Sequence, residues 1–226
     1  MTRLQIGGFT PLSTQDYPGE LSAVVFCQGC PWRCRYCQNP ELVTRETDQS
    51  YDWHNIRAFL ERRRGLLDAV VFSGGEPTLQ RGLAEAMLDA RGMGYKVGLH
   101  TAGCYPDRLD RILPLTDWVG LDIKALPDRY QDITTSNTSG AKAWESLDWV
   151  LDTPVAHEVR VTVHSALTSD SSLQALADAL SAKGVRSLAL QTCRSTVCLD
   201  PDLDPSNDQI VHNMMNGITT PEVVLR

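Results

Sequence analysis

Short apolar runs alternate with stretches of helical periodicity along this chain. Residues 21–26, 69–72, 96–100, 118–123, 158–164 and 187–191 are rich in β-branched and other apolar residues and read as buried strands. Between them, Trp53, Ile56, Phe59 and Leu60 share one face of a helix over 51–64, with Asp52 as a plausible N-cap. A helix over 80–91 ends at Gly92-Met93-Gly94, and another is expected over 106–113. Trp144, Leu147 and Val150/Leu151 mark a helix over 141–151. Leu173, Leu176, Ala177 and Leu180 mark one over 172–183, with Gly184 just past its end.

Six strands alternating with helices imply parallel βαβ units with right-handed crossovers. The expected fold is α/β, a partial (β/α)6 barrel open on one side, with its site at the C-terminal ends of the strands. Residues 1–20 read as a short leader closing on the turn signal Asp16-Tyr17-Pro18-Gly19. With that leader, 1–195 is expected to form the barrel domain. The extension 196–226 is not expected to be a domain of its own. In it, Ser206 and Gln209 suggest a capping box opening a helix with Ile210, Val211, Met214 and Met215.

Composition narrows the class. The chain has 226 residues and a net charge of −7, which argues against a dedicated nucleic-acid binder. No basic-then-apolar signal pattern opens it, and no apolar run is long enough to span a bilayer, so no membrane partner is expected. Seven cysteines, an odd and unevenly bunched set, do not read as a secreted disulfide framework. A reducing cytoplasm suits them.

Four of those cysteines fall within the eleven residues Cys27-Gln-Gly-Cys-Pro-Trp-Arg-Cys-Arg-Tyr-Cys37, directly after the first strand. Cys30, Cys34 and Cys37 have the spacing C-x3-C-x2-C. Closely spaced thiolates suit an iron–sulfur cluster, and three on a four-iron cubane leave one iron open. A four-thiolate zinc site that includes Cys27 is the alternative, although zinc-binding C-x2-C pairs usually stand a dozen or more residues apart. Cys27 reads as a small buried hydrophobe, and Cys104, Cys193 and Cys198 as structural thiols.

Other polar groups gather at the same strand ends. Gly74-Gly75 removes two Cβ atoms where backbone must approach a ligand closely. Glu76 is expected to fix that loop. Asp122 and Lys124 alternate, so they point to one face, either as an internal ion pair or toward a ligand. Arg160 shares its face with Thr162 and His164, and its guanidinium is shaped to clamp a carboxylate. His164 and Gln191 are weaker candidates.

The cysteine loop, with Tyr36 before its last cysteine, resembles the signature of the radical S-adenosylmethionine (SAM) superfamily. Thr14-Gln15-Asp16-Tyr17-Pro18-Gly19, Ser73-Gly74-Gly75-Glu76-Pro77 and Leu121-Asp122-Ile123-Lys124 follow the order seen in glycyl-radical-enzyme activases. Together with Leu66-Leu67-Asp68, His100-Thr101-Ala102-Gly103 and Glu158-Val159-Arg160-Val161-Thr162-Val163, the pattern is most similar to the activating proteins of anaerobic ribonucleoside-triphosphate reductases. It spans about residues 4–191.

The resemblance implies a 4Fe–4S cluster on Cys30, Cys34 and Cys37, with SAM chelating the open iron. It assigns Tyr36, Gln38, Gly74, Gly75, Glu76, Asp122, Lys124 and Arg160 to SAM: Tyr36 at the adenine, Gly74-Gly75 at the amino group, Asp122 and Lys124 at the ribose and methionine carboxylate. It implies a one-electron donor such as flavodoxin or ferredoxin, and reductive SAM cleavage that ends in a glycyl radical on a partner enzyme. That partner is expected to be an anaerobic ribonucleoside-triphosphate reductase. Pyruvate formate-lyase activases carry a cation-binding aspartate where this chain has His100, so the resemblance implies no such cation site here. A radical SAM enzyme acting on a small molecule or peptide is the alternative, followed by a non-catalytic iron–sulfur or zinc module.

Overall fold

The computed structural model describes residues 4–46, 51–193, 198–218 and 221–225. One mixed sheet runs β1 (Ile6–Ser13), β2 (Ser22–Cys27), β3 (Ala69–Gly74), β4 (Lys96–Thr101), β5 (Trp118–Asp122), β6 (Ala156–Val163), β7 (Ser187–Thr192) and β8 (Glu222–Leu225), in chain order. Only β1 and β2 pair antiparallel; every later pair is parallel. β1 and β8 are the sheet's two ends, so it stays open. The helices are α1 (Trp53–Glu61), α2 (Leu83–Gly92), α3 (Pro106–Ile112), α4 (Tyr130–Thr134), α5 (Ser139–Leu151), α6 (Asp170–Ala182) and α7 (Asp208–Asn216).

The six expected parallel strands are β2 to β7, the core of a partial (β/α)6 barrel, but the sheet has eight. The supposed leader forms β1, whose Thr10 lies opposite Val24. Its sequence, with Gly7, Gly8 and Pro11, carries little strand propensity, so pairing with β2 decides its conformation. β8 lies beside β7, with Val223 opposite Leu188, and joins the C-terminal extension to the sheet. The expected boundary at 195/196 falls outside the described residues. Asn207, not Ser206, caps α7: its side chain accepts the Ile210 N–H at 3.1 Å. The Ser206 hydroxyl accepts the Ser165 N–H instead.

Two apolar layers follow from strand alternation. Val25, Val70, Phe72, Val97, Leu99, Val119, Leu121, Val159 and Val161 join Leu60, Met87, Leu109, Leu147 and Leu180 in one helix-covered core. Val24, Val71 and Trp118 point to the other face and pack with Tyr17 and Phe26. The Tyr17 and Trp118 rings lie 5.4 Å apart, so the turn after β1 closes the bottom of the barrel interior. That leaves polar residues at the upper end of the same face: Ser73, His100, Asp122 and Arg160.

Candidate functional site

The cysteine loop leaves β2 and is clamped from three directions. The Gly29 and Cys30 N–H groups donate to Leu42 O (2.8 Å) and Val43 O (3.0 Å) in the following segment. Arg33 N and Arg35 N donate to Thr134 O (3.2 Å) and Ile133 O (2.9 Å) at α4. The backbone after β3 holds the third side, with Gly75 N on Cys27 O and Glu76 N on Gly29 O, both at 2.9 Å. The Gln28 side chain adds hydrogen bonds to Glu41 O and Thr44 O. A scaffold fixed this closely presents side chains with little reorganisation.

Gly74 and Gly75 are needed for that clamp. Gly74 has φ of +115°, and a Cβ there would stand 2.4 Å from Cys27 N. At Gly75 a Cβ would meet Gly29 O at 2.4 Å. The close approach is therefore to the backbone of the cysteine loop itself. Glu76 is fully buried and caps the turn after β3. Its Oε1 accepts from Thr78 N (3.1 Å), Thr78 Oγ1 (2.6 Å) and Thr101 Oγ1 (2.7 Å), and its Oε2 from Ala102 N (3.0 Å). One carboxylate thus ties the ends of β3 and β4 together.

Cys30, Cys34 and Cys37 are half-buried free thiols, whereas Cys27 is wholly buried in the main core. Burial raises the Cys27 pKa well above the ordinary thiol value and pushes Cys34 up to about 12. Burial also raises Cys37, while a hydrogen bond from Cys104 lowers Cys30. Sequence spacing gave no sign that Cys104, from the loop after β4, would meet Cys30 and Glu76.

Asp122 and Arg160 face each other on paired strands, with Arg160 Nε 2.8 Å from Asp122 Oδ1. Arg160 is 8 % exposed, and Gly120 makes room for it: a Cβ there would lie 2.9 Å from the guanidinium carbon. Burial alone would raise the Asp122 pKa, but Arg160, then Lys124 and His100, hold it below the ordinary carboxylate value. The ion pair is therefore Asp122–Arg160, not Asp122–Lys124.

Lys124 is placed differently. Its Nζ lies 5.6 Å from the centre of the Tyr36 ring, and its backbone N–H donates to the Tyr130 hydroxyl at 2.9 Å. Among the described residues its ammonium makes no ion pair. Burial, the largest influence, pulls the Lys124 pKa down, and the groups around it, chiefly Tyr36, Cys34 and Asp122, more than restore it. Tyr36 is 4 % exposed and packs with Ile133 and Cys193, and its buried hydroxyl has no hydrogen-bond partner among the described residues. Gln38 Nε2 donates to Cys193 Sγ at 3.3 Å. His100 Nε2 meets Asp16 O at 2.7 Å and its Nδ1 meets Ser73 Oγ at 3.3 Å.

His164 follows β6 and is fully buried. Its pKa is lowered, mainly by burial and also by Arg35, so the ring is neutral at pH 7. Gln191, on β7, lies opposite Thr162 in the sheet register.

Three soft thiols meet at one end of the sheet, with an ammonium and a tyrosine hydroxyl that are both unpaired among the described residues. The donor set suits an iron–sulfur cluster and a small anionic ligand beside it. Residues 24–165 match the family model described as the radical SAM superfamily. The chain belongs to the radical SAM superfamily.

The superfamily's cofactors are a 4Fe–4S cluster and SAM, and the residues present fit both. The chain is 30 % identical over 163 residues to a Methanocaldococcus jannaschii protein named as a glycyl-radical enzyme activating enzyme, covering 65 % of this chain and 61 % of that one. It is 29 % identical over 144 residues to the pyruvate formate-lyase-activating enzyme of Listeria monocytogenes, covering 57 % and 56 %. It thus spans somewhat more than half the length of these relatives. Among solved structures, a radical SAM methyltransferase from Sphaerobacter thermophilus superposes with a TM-score of 0.69 at 16 % identity, covering 100 % of this chain and 77 % of that one. QueE from Escherichia coli gives 0.60 at 16 %, covering 99 % and 94 %. At these identities the structures speak for the fold alone. None of the described helices is long and apolar enough to cross a membrane.

Proposed function

We propose that this radical SAM protein is an activase that installs a glycyl radical on a partner enzyme, an anaerobic ribonucleoside-triphosphate reductase. The observation that carries the reading is the unpaired Lys124 ammonium beside the thiol loop, together with the activating enzymes among its relatives. When bound, the cluster and SAM would supply the one-electron reductive chemistry that abstracts a hydrogen atom from the partner's glycine Cα.

The chain's own residues do the positioning. Cys30, Cys34 and Cys37 would hold the cluster, and Cys27 stays in the core. Lys124 receives the methionine carboxylate. The Asp122–Arg160 pair uses one carboxylate oxygen of Asp122 and would leave the other for the ribose. The segment 74–76 offers backbone groups to the SAM amino group, with Glu76 holding it still. Tyr36 and Gln38 flank the adenine, which requires Lys124 or the loop to shift off the Tyr36 ring. Ser73 and His100 complete the polar wall, and Tyr17 and Trp118 close the interior below it to water.

A flavodoxin or ferredoxin is the electron donor in this reading, and a reducing cytoplasm the compartment. The test is SAM turnover under anaerobic reduction, with and without the cognate reductase. Partner-dependent formation of 5′-deoxyadenosine supports the reading. Vigorous cleavage coupled to a small molecule or peptide, and indifferent to the reductase, would replace it.

A further inference from the structure

Directly behind the cysteine loop, where Cys193 packs on Tyr36, a second set of metal-binding side chains converges. The nearest ligand atoms of His164, Cys193 and Cys198 all lie within 4.8 Å of one another. Sheet register explains the first two. Val163 pairs with Thr192 at the ends of β6 and β7, so His164 and Cys193 leave neighbouring strands side by side. Cys193 N donates to Val163 O at 3.0 Å there. Cys198 is brought back by its neighbour Asp200, whose N–H donates to Arg35 O (2.9 Å) and whose carboxylate takes Arg35 Nε at 2.7 Å.

The imidazole is held and incompletely satisfied. His164 Nδ1 accepts the Ala166 N–H at 3.2 Å, while the buried Nε2 has no partner among the described residues. A buried polar atom left without a partner is uncommon and calls for a ligand or other compensation. Cys193 is equally buried, and its sulfur already accepts from Gln38 Nε2, a bond that a metal-bound thiolate keeps.

We propose that His164, Cys193 and Cys198 bind a zinc ion, with water in the fourth position. Two thiolates and an imidazole are a zinc donor set, and Zn–S near 2.3 Å with Zn–N near 2.0–2.1 Å puts tetrahedral ligand atoms roughly 3.3–3.8 Å apart. Standing within 4.8 Å of one another, the donor atoms need to close by no more than about an ångström. On loading, both thiol protons leave to solvent. The ring proton passes from Nε2 to Nδ1, which can then no longer accept the Ala166 N–H, so the ring must turn off that N–H as the metal bond forms. Cys193 packs with Tyr36 and Ile133. The ion would therefore pin the segment after β7 against the back of the cysteine loop.

The experiment uses the full chain with its iron–sulfur cluster reconstituted anaerobically. Zinc chloride is added, excess ion is removed on a chelating resin, and bound zinc and iron are counted. Zinc K-edge absorption then reads the first shell. About one zinc per chain is expected, bound by two sulfur and two lighter atoms. Cys198→Ser and His164→Asn should each drop retained zinc at least tenfold while iron stays at the wild-type level. That iron also separates this test from the cofactor assignment at Cys30, Cys34 and Cys37. Failure to retain zinc, equal retention by both variants, or a Cys193–Cys198 disulfide in protein purified under reductant would overturn the proposal.

Discussion

Replacing Lys124 with methionine separates ligand binding from folding. The side chain keeps nearly the same length and loses only its charge. Because the ammonium makes no ion pair among the described residues and Asp122 already has Arg160, no partner is stranded by the change. The cation–π contact with Tyr36 is worth about 0.5–1 kcal/mol, and removing an unpaired, partly desolvated charge offsets it. Stability should therefore move by less than about 1 kcal/mol. A charge-assisted hydrogen bond to the methionine carboxylate contributes about 1.5–3 kcal/mol. With each 1.4 kcal/mol a factor of ten, Kd for SAM should rise roughly 10- to 150-fold. Anaerobic calorimetric titration of reconstituted protein reads the affinity, and iron content confirms the cluster. Unchanged affinity would refute the carboxylate assignment. Loss of iron or fold would show that Lys124 serves the structure.

The neighbouring pair should respond in the opposite way. Asp122→Asn strands a guanidinium that is nearly buried and should cost about 2–3 kcal/mol, less than a fully buried pair because Asp122 is one-third exposed, as read by chemical denaturation. The Asp122 pKa is depressed in the folded state, so its contribution is full above the unfolded value near 4 and is lost as pH falls through the folded value; Asp122→Asn should abolish that part of the acid-side slope. Single serine variants of Cys30, Cys34 and Cys37 should lose iron and visible absorbance, whereas Cys27→Ala should keep both. Gly75→Ala should also lose iron although it touches no thiol, because its Cβ would displace Gly29 from the cysteine loop.

Periodicity revealed the parallel strands and most helices because each buries a contiguous apolar set. It missed β1 and β8, which are edge strands formed through pairing with a neighbour. Only the β2 partner makes Gly7-Gly8 extended, and only β7 gives the residues after Pro221 a register. The cysteine loop and the segment 73–77 were legible as chemistry, since their spacing is local. The contact between Cys104 and Cys30, and the convergence of His164 with Cys193 and Cys198, were not. Both depend on which strand ends become neighbours. Likewise, alternation put Asp122 and Lys124 on one face, but only sheet register shows that Asp122 pairs with Arg160.

Installation of the glycyl radical is the central claim, and electron paramagnetic resonance tests it most directly. Reduced, reconstituted protein would be incubated anaerobically with SAM and its cognate anaerobic ribonucleoside-triphosphate reductase. A doublet from the glycine α-hydrogen should appear in step with 5′-deoxyadenosine, and should vanish when the partner's radical glycine is changed to alanine. Sustained SAM cleavage with no glycyl doublet on the cognate reductase would contradict the account.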